Sequence, residues 1–376
     1  MNEKPMKTAV VGCGAISDIY LTNMINRFDI LEVAACCARN PEHAARKAQQ
    51  YGIKASTYEE ILADESIELI VNLTPAPAHY EIIKKALEAG KHIYTEKSMT
   101  VSLEEAAELV RLSEEKGLYL GSAPDTFLGS SFQTARKAID DGLIGEITSC
   151  TVAANRDLNF LCSISSFLLM PGGGICYDYG VYYLTALVSI LGSVRRACGI
   201  VRNPYPLRTN CNPSSPDFGK EMIHKNESQV SAVLDFADGF TGTFQLNGDS
   251  IIFDQAGITI YGTRGILRLP DPNQFGGEVL YLPASFDFAN PPKPQSLPDI
   301  FGFSDNSRGI GPAEMAHAIR AGRPCRAGKE MAYHVLEIIT AIMKSSETGS
   351  FCEIHSSCER PRPLKPEALN GVFSLD

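Results

Sequence analysis

Residues 8–20 read TAVVGCGAISDIY. An apolar, β-branched run ends at Val11, glycines follow at positions 12 and 14, and from Ser17 the apolar residues return at helical spacing. Strand, glycine turn and helix are the expected order. Gly12 permits a tight turn, and Gly14 lets backbone amides approach a ligand. The helix N-terminus that follows favours an anion such as a pyrophosphate. Together with Ala15 and Ile16, these residues form a candidate dinucleotide-binding turn. Ser17 stands where the third glycine of that fingerprint would be, and is still small enough for close helix–strand packing.

Outward from this turn the chain keeps alternating. LEVAACC (31–37), LIVNL (69–73), HIYTE (92–96) and LYLGS (118–122) are short strand-like runs bounded by turn residues. Between them PEHAARKAQQYG, HYEIIKKALEAG and SLEEAAELVRLSEEKG have helical apolar spacing and end in glycine, a common C-terminal cap. Such alternation predicts a doubly wound parallel sheet, a Rossmann-type domain over residues 1–123. From residue 124 the pattern changes. One helix, FQTARKAIDDG, leads into longer alternating runs: EITSCTVAAN, SQVSAVLDF, FTGTFQLNG, GITIYG and GILRLP. Several are joined by turns such as Asp238–Gly239. Residues 124–376 are therefore expected to form an α/β domain with a large open, mostly antiparallel sheet. PASFDFANPPKPQSLP reads as a loop, and AEMAHAIRAG and MAYHVLEIITAIMKSSETG as closing helices.

Length and composition bound the rest. The 376 residues suit two domains, and 44% hydrophobic residues can fill two cores. A net charge of -10 argues against nucleic acid or an anionic membrane as partner. No apolar run approaches membrane-spanning length, and none of signal-peptide length precedes the first strand. The eleven cysteines are scattered and odd in number, so a cytoplasmic, reducing location is expected. Cys352, His355 and Cys358 are three apart, which lacks the fourth ligand of a closed zinc site; no metal is expected, and FCEI reads as a last strand.

The second strand bears on the nucleotide. An acid at its end would accept from ribose hydroxyls and repel a 2′-phosphate. Here Ala38 and Arg39 occupy that end, which favours NADP(H) and leaves NAD(H) compatible. Ligands of open parallel sheets bind beyond the C-terminal strand ends. Thr74, Pro75 and His79 of VNLTPAPAHYE, and Glu96 and Lys97 of HIYTEKSMT, should therefore line the cofactor crevice. Lys97 could polarise an oxygen there or pair with Glu96; His79 could instead cap its helix.

GGGICYDYGVYYLTAL (172–187) departs from what packing alone would write. Asp178 could cap the helix, and it lies four residues before Tyr182, on the same face. Gly180 gives up roughly 1 kcal/mol near a helix start, which suggests that something approaches closely there; Tyr183 reads as core.

Gly12-x-Gly14, NLTPAPAH, GKHIYTEK, GLIGEI, GGGICYDYG and AIRAGRP occur in this order, and in that combination the chain resembles the glucose–fructose oxidoreductase, inositol dehydrogenase and rhizopine-catabolism (Gfo/Idh/MocA) family. The resemblance implies hydride transfer to or from a ring carbon of a sugar, cyclic polyol or glycoside, and homodimers or homotetramers packed through the open sheet. It implies a catalytic role for Lys97, which matches the lysine of the family's Glu-Lys-Pro motif; Ser98 replaces the proline. It also places Tyr182 where the family's Asp-x-Gly-x-His pattern has a histidine acid/base, a replacement that some sugar and dihydrodiol oxidoreductases of the family share. A phenol titrating near ~10 needs a cation to act as a base at neutral pH, and Lys97 could supply one. Lys97, Asp178 and Tyr182 are thus the candidate catalytic set, with Arg156 and Arg308 as further substrate contacts. A retained-cofactor enzyme that cleaves glycosides through a keto-sugar stays open. So do a dihydrodiol-type dehydrogenase and a nucleotide- or sugar-sensing regulator that has kept the fold and lost catalysis.

Overall fold

A computed structural model describes residues 4–251, 257–287 and 289–366. The described residues form two compact units, 4–128 with 306–333, and 129–305 with 334–366.

In the first unit β1 (Met6–Val11), α1 (Ser17–Asn26), β2 (Leu31–Cys37), α2 (Pro41–Tyr51), β3 (Lys54–Ala55), α3 (Tyr58–Ala63), β4 (Leu69–Asn72), α4 (His79–Glu88), β5 (His92–Thr95), α5 (Leu103–Lys116) and β6 (Leu120–Ser122) follow in order. The strands form one sheet in the order β3-β2-β1-β4-β5-β6, and every pair is parallel. Local chemistry fixes the helix ends. Asn40 accepts from Glu42 N–H at the start of α2, and Ser102 accepts from Glu105 N–H at the start of α5. Gly52 and Gly117 close the same helices in the left-handed conformation.

Strand β3 has two residues and was not anticipated; both are exposed, so no hydrophobic pattern announces it. The helix Ile310–Ala321 belongs to this first unit, whereas the sequence reading places it beyond a single boundary at residue 123. Its Gly311 lies against Tyr94, where a Cβ would stand 2.2 Å from the phenol oxygen. Contacts so distant in sequence leave no trace in the local pattern.

The second unit contains α6 (Ser130–Asp140), β7 (Ile147–Asn155), α7 (Leu158–Ile164), α8 (Val181–Leu191), β8 (Val194–Arg202), β9 (Leu207–Thr209), β10 (Glu221–Ile223), β11 (Gln229–Phe236), β12 (Thr241–Asn247), β13 (Gly257–Gly262), β14 (Gly265–Leu269), β15 (Leu280–Pro283) and β16 (Gln295–Ser296). Then come α9, the helix Ile310–Ala321 of the first unit, α10 (Lys329–Thr348) and β17 (Cys352–Glu353). A nine-stranded sheet runs β16-β15-β14-β13-β7-β12-β11-β8-β17. It is antiparallel except for β7 beside β12, so the sheet is mixed. The long connection between those two strands, which includes α8, makes a parallel pairing reachable. Helix α8 is buried along its whole length.

Strand β8 was missed because Arg195, Arg196 and Gly199 break its apolar alternation. In the fold Arg196 Nε donates to Asp235 Oδ2 on β11 at 2.6 Å, and a Cβ on Gly199 would meet Ala232 Cβ at 2.9 Å.

Candidate active site

The dinucleotide turn lies where the strand order reverses, between β1 and β4. Gly12 has φ 106°, and a Cβ there would stand 2.8 Å from the Leu73 carbonyl, so the turn is pressed against the loop after β4. A Cβ on Gly14 would meet no protein atom within 4 Å, and both Gly14 and Ala15 are exposed. Ile16 precedes α1, whose first amides have no side-chain cap. Ser17 is buried and its hydroxyl donates to Gly14 O at 2.6 Å, which holds the turn. An open glycine face before an uncapped helix N-terminus fits the pyrophosphate of a dinucleotide.

Ala38 and Arg39 follow β2, with Arg39 exposed. Thr74, half-buried, donates its hydroxyl to Asn72 Oδ1 at 2.7 Å, and Pro75 beside it is exposed. His79 does not cap its helix. It is fully buried, with Nδ1 2.7 Å from Ser98 O and Nε2 2.7 Å from Thr74 O. It thereby ties the loop after β4 to the loop after β5. Burial holds the imidazole pKa down, against the pull of the two carbonyls.

Glu96 is also turned inward: Tyr20 Oη donates to its Oε1 at 2.7 Å and the Lys97 amide to its Oε2 at 3.0 Å. Lys97 itself is half-buried, and the Lys97–Ser98 peptide is cis. Behind this loop Asp125 is buried, accepts from Gly311 N–H at 2.9 Å, and is pushed up to about 6 by desolvation. Arg308 belongs to this unit as well: Asn23 of α1 donates to its carbonyl, and its guanidinium donates to Asn306. The sequence reading had grouped it with the second domain, since nothing local links it to α1.

In the second unit, residues Cys176–Gly180 form a π-helical turn that runs into α8. Such turns recur at functional sites because the wider turn re-aims side chains. Asp178 is half-buried within this turn, not at an N-cap, and Tyr182 is 8% exposed in the first turn of α8. At Gly180 the close approach is made by protein side chains. A Cβ there would meet Leu246 Cδ1 at 2.8 Å and Phe244 Cζ at 3.1 Å, so it is glycine to let the helix start sit on β12. Tyr183 is core, with its hydroxyl on Tyr179 Oη at 3.0 Å.

Arg156, just after β7, lays its guanidinium 3.7 Å from the centre of the Tyr179 ring, and Tyr179 Oη donates to Asp271 Oδ2 at 2.7 Å. A cation over an aromatic face is held in place, so Arg156 and Asp178 are both fixed to one turn. Burial and Asp271 raise the Tyr179 phenol well above its usual range, so it serves as a platform and not a base. Tyr179 and Asp271 were not singled out from sequence; the double tyrosine spacing at 179 and 183 was the available signal. Cys352 lies in β17, and the backbone after it is tied down: His355 N–H donates to Glu337 and Cys358 N–H to Ser193 Oγ.

The sequence matches two family profiles: the oxidoreductase family with NAD-binding Rossmann fold over residues 6–123, and the GFO/IDH/MocA C-terminal domain over residues 132–268. The chain belongs to the GFO/IDH/MocA oxidoreductase family. Among curated relatives, an uncharacterized oxidoreductase of Schizosaccharomyces pombe is 32% identical over 193 residues, 50% of this chain and 52% of that protein. The chain thus spans about half the length of the first curated relatives it matches. The scyllo-inositol 2-dehydrogenase (NADP(+)) IolW of Bacillus subtilis is 25% identical over 357 residues, 91% of this chain and 94% of its own. The D-glucoside 3-dehydrogenase of Escherichia coli is 24% identical over 369 residues, 94% and 99%. Levoglucosan dehydrogenase, solved with NADH and L-sorbose, superposes with a TM-score of 0.81 at 18% identity, covering 93% of this chain and 99% of that one. That likeness shows the fold. Among the described residues no helix is long and apolar enough to cross a membrane.

Proposed function

We propose that the protein is an NAD(P)-dependent oxidoreductase acting on a ring hydroxyl or ketone of a sugar, cyclic polyol or glycoside. The observation that carries this reading is the π-helical turn bearing Asp178, followed at once by Tyr182, in a chain of this family. Relatives named for scyllo-inositol, D-glucosides and levoglucosan support the substrate class.

Gly12, Gly14, Ala15 and Ile16 would hold the pyrophosphate of the cofactor, and Thr74 and Pro75 would border it. Bound nicotinamide would supply the hydride acceptor or donor. Tyr182 takes the proton from the ring hydroxyl, and Lys97 stabilises the phenolate and the developing oxyanion. Asp178 accepts from adjacent hydroxyls and orients the ring, and Arg156 donates to further hydroxyls. His79 and Glu96 act behind the cofactor loops, and Arg308, beside α1, is a further substrate candidate. Ala38 and Arg39, with no acid at the end of β2, favour NADP(H), as in the relative named for NADP; levoglucosan dehydrogenase was solved with NADH. We assign the protein to the cytoplasm as a homo-oligomer that pairs through the open face of the nine-stranded sheet.

The first test is to denature fresh protein and identify any nucleotide released. A stoichiometric nucleotide would indicate a closed redox cycle, of the kind that cleaves glycosides through a keto-sugar. An empty protein would be screened by absorbance at the nicotinamide band with NAD or NADP against scyllo-inositol, levoglucosan and methyl glucosides. Tyr182→Phe and Lys97→Met should each lower turnover by roughly 10²–10⁴. Near-normal turnover in both variants would overturn the reading.

A further inference from the structure

The glycine run before Asp178 is not used by the mechanism above, and neither is the acid Glu227 that lies against Gly174. The N-cap residues of the π-helical turn and of α8, Ile175 and Gly180, make no side-chain cap bond. A helix start leaves several amides without intrahelical partners. Here the partner arrives from residue 227, on the connection between β10 and β11. Ile175 N–H donates to Glu227 O at 3.0 Å, and Cys176 N–H donates to Glu227 Oε1 at 3.0 Å.

The carboxyl group occupies the space beside Gly174, where a Cβ would stand 1.9–2.1 Å from its atoms. Gly173 is confined in the same way by the Leu168 carbonyl, at 2.3 Å. The neighbouring Asn226 side chain donates to Leu168 O at 3.0 Å and Met170 O at 2.8 Å. The dipeptide 226–227 therefore pins the chain on both sides of the glycine run. Asp178 N–H in turn donates to Gly174 O at 2.8 Å, so the backbone of Asp178 hangs on the residue that Glu227 holds.

We propose that Glu227 is a positioning residue for substrate binding: its carboxyl group caps the π-helical turn from a distance and fixes the backbone that presents Asp178, and Gly174 is glycine to admit it. This rests on the reading of Asp178 and Tyr182 as substrate residues. A carboxylate is suited to the task because charge-assisted bonds to helix-start amides are stronger than neutral ones. Burial opposes it, however. Desolvation and the nearby Asp178 push the Glu227 carboxyl up to about 7, while the amides of Cys176 and Tyr177 pull it down.

The test uses full-length protein and three variants, Glu227→Ala, Glu227→Gln and Gly174→Ala. Amide exchange over residues 171–184, followed by mass spectrometry, should quicken about tenfold in the two alanine variants, with peptides of α10 unchanged. Glu227→Gln keeps one acceptor oxygen and should fall between. With the active sugar among levoglucosan, scyllo-inositol and methyl glucoside as probe, KM should rise about tenfold while the dissociation constant for the nicotinamide cofactor stays at the wild-type value.

Gly174→Ala displaces only the flexible end of Glu227, so it carries the test if Glu227→Ala fails to fold. Wild-type exchange in Gly174→Ala and Glu227→Gln would overturn the proposal. So would faster exchange with an unchanged KM, which would leave Glu227 a structural cap only. Tyr182→Phe separates the two readings. Wild-type turnover in that variant sinks the functional assignment alone, because the exchange result needs no substrate.

Discussion

At the scale of single residues the glycines separate into two kinds. Gly12 and Gly180 are glycines because protein atoms leave no room: a Cβ would stand 2.8 Å from the Leu73 carbonyl in one case and 2.8 Å from Leu246 Cδ1 in the other. Gly14 is glycine with open space before it. Gly12→Ala should therefore cost about 1–3 kcal/mol of stability through its positive φ alone. Gly14→Ala should stay within about 0.5 kcal/mol of wild type yet weaken dinucleotide binding about tenfold, some 1.4 kcal/mol. Denaturant unfolding and cofactor titration of the pair check both halves, and equal losses of stability would contradict the distinction. Gly180→Ala overpacks a buried contact and should cost about 1–3 kcal/mol, read from the same unfolding midpoints. Sequence reading noticed Gly180 as a point of close approach. The side chains of β12 that require it lie more than sixty residues further along the chain.

Elements show where sequence patterns hold and where they stop. Helices α2 and α5 end at the glycines that the sequence marks, Gly52 and Gly117, because those residues adjoin them in the chain. The π-helical turn at Cys176–Gly180 has no such neighbouring mark, since its capping carboxyl comes from Glu227. Helix α10 supplies a pH prediction of the same long-range kind. Val194 N–H donates to His334 Nε2 at 3.0 Å, which requires the lone pair of the neutral ring. Burial pushes the His334 pKa down to about 4. A histidine held neutral contributes its stability fully above its unfolded pKa of 6.5 and loses it as pH falls towards about 4. The shift corresponds to roughly 3 kcal/mol at most. His334→Gln should be less stable at pH 7, and its unfolding free energy should vary less between pH 6.5 and 4. An unchanged slope over that window would refute the assignment.

For the molecule as a whole, the two compact units do not follow a single cut in the chain. Ile310, Ala313, Met315, Ala316 and Ala318 of α9 are all fully buried in the described structure, and the Arg320 guanidinium forms two bonds of 2.8 Å with Glu68 in the first unit. A fragment of residues 1–128 should therefore expose apolar surface and bind a hydrophobic dye. The same fragment joined by a flexible linker to residues 306–333 should unfold cooperatively. Equal cooperativity of the two, by circular dichroism on heating, would show that α9 is dispensable to the first unit.

The sequence by itself determined the alternation of strand and helix and the turn at Gly12 and Gly14, and its resemblance to a family marked Lys97, Asp178 and Tyr182 as the candidate set. The alternation and the turn are written in near neighbours, through spacing, capping and turn chemistry. Only the tertiary structure decided that His79 and Glu96 face inward, that Arg308 joins α1, and that Arg156 rests on Tyr179. It also decided that Glu227 holds the turn of Asp178. Each of these depends on a polar or packed contact between distant segments, and burial, not periodicity, selects the partner.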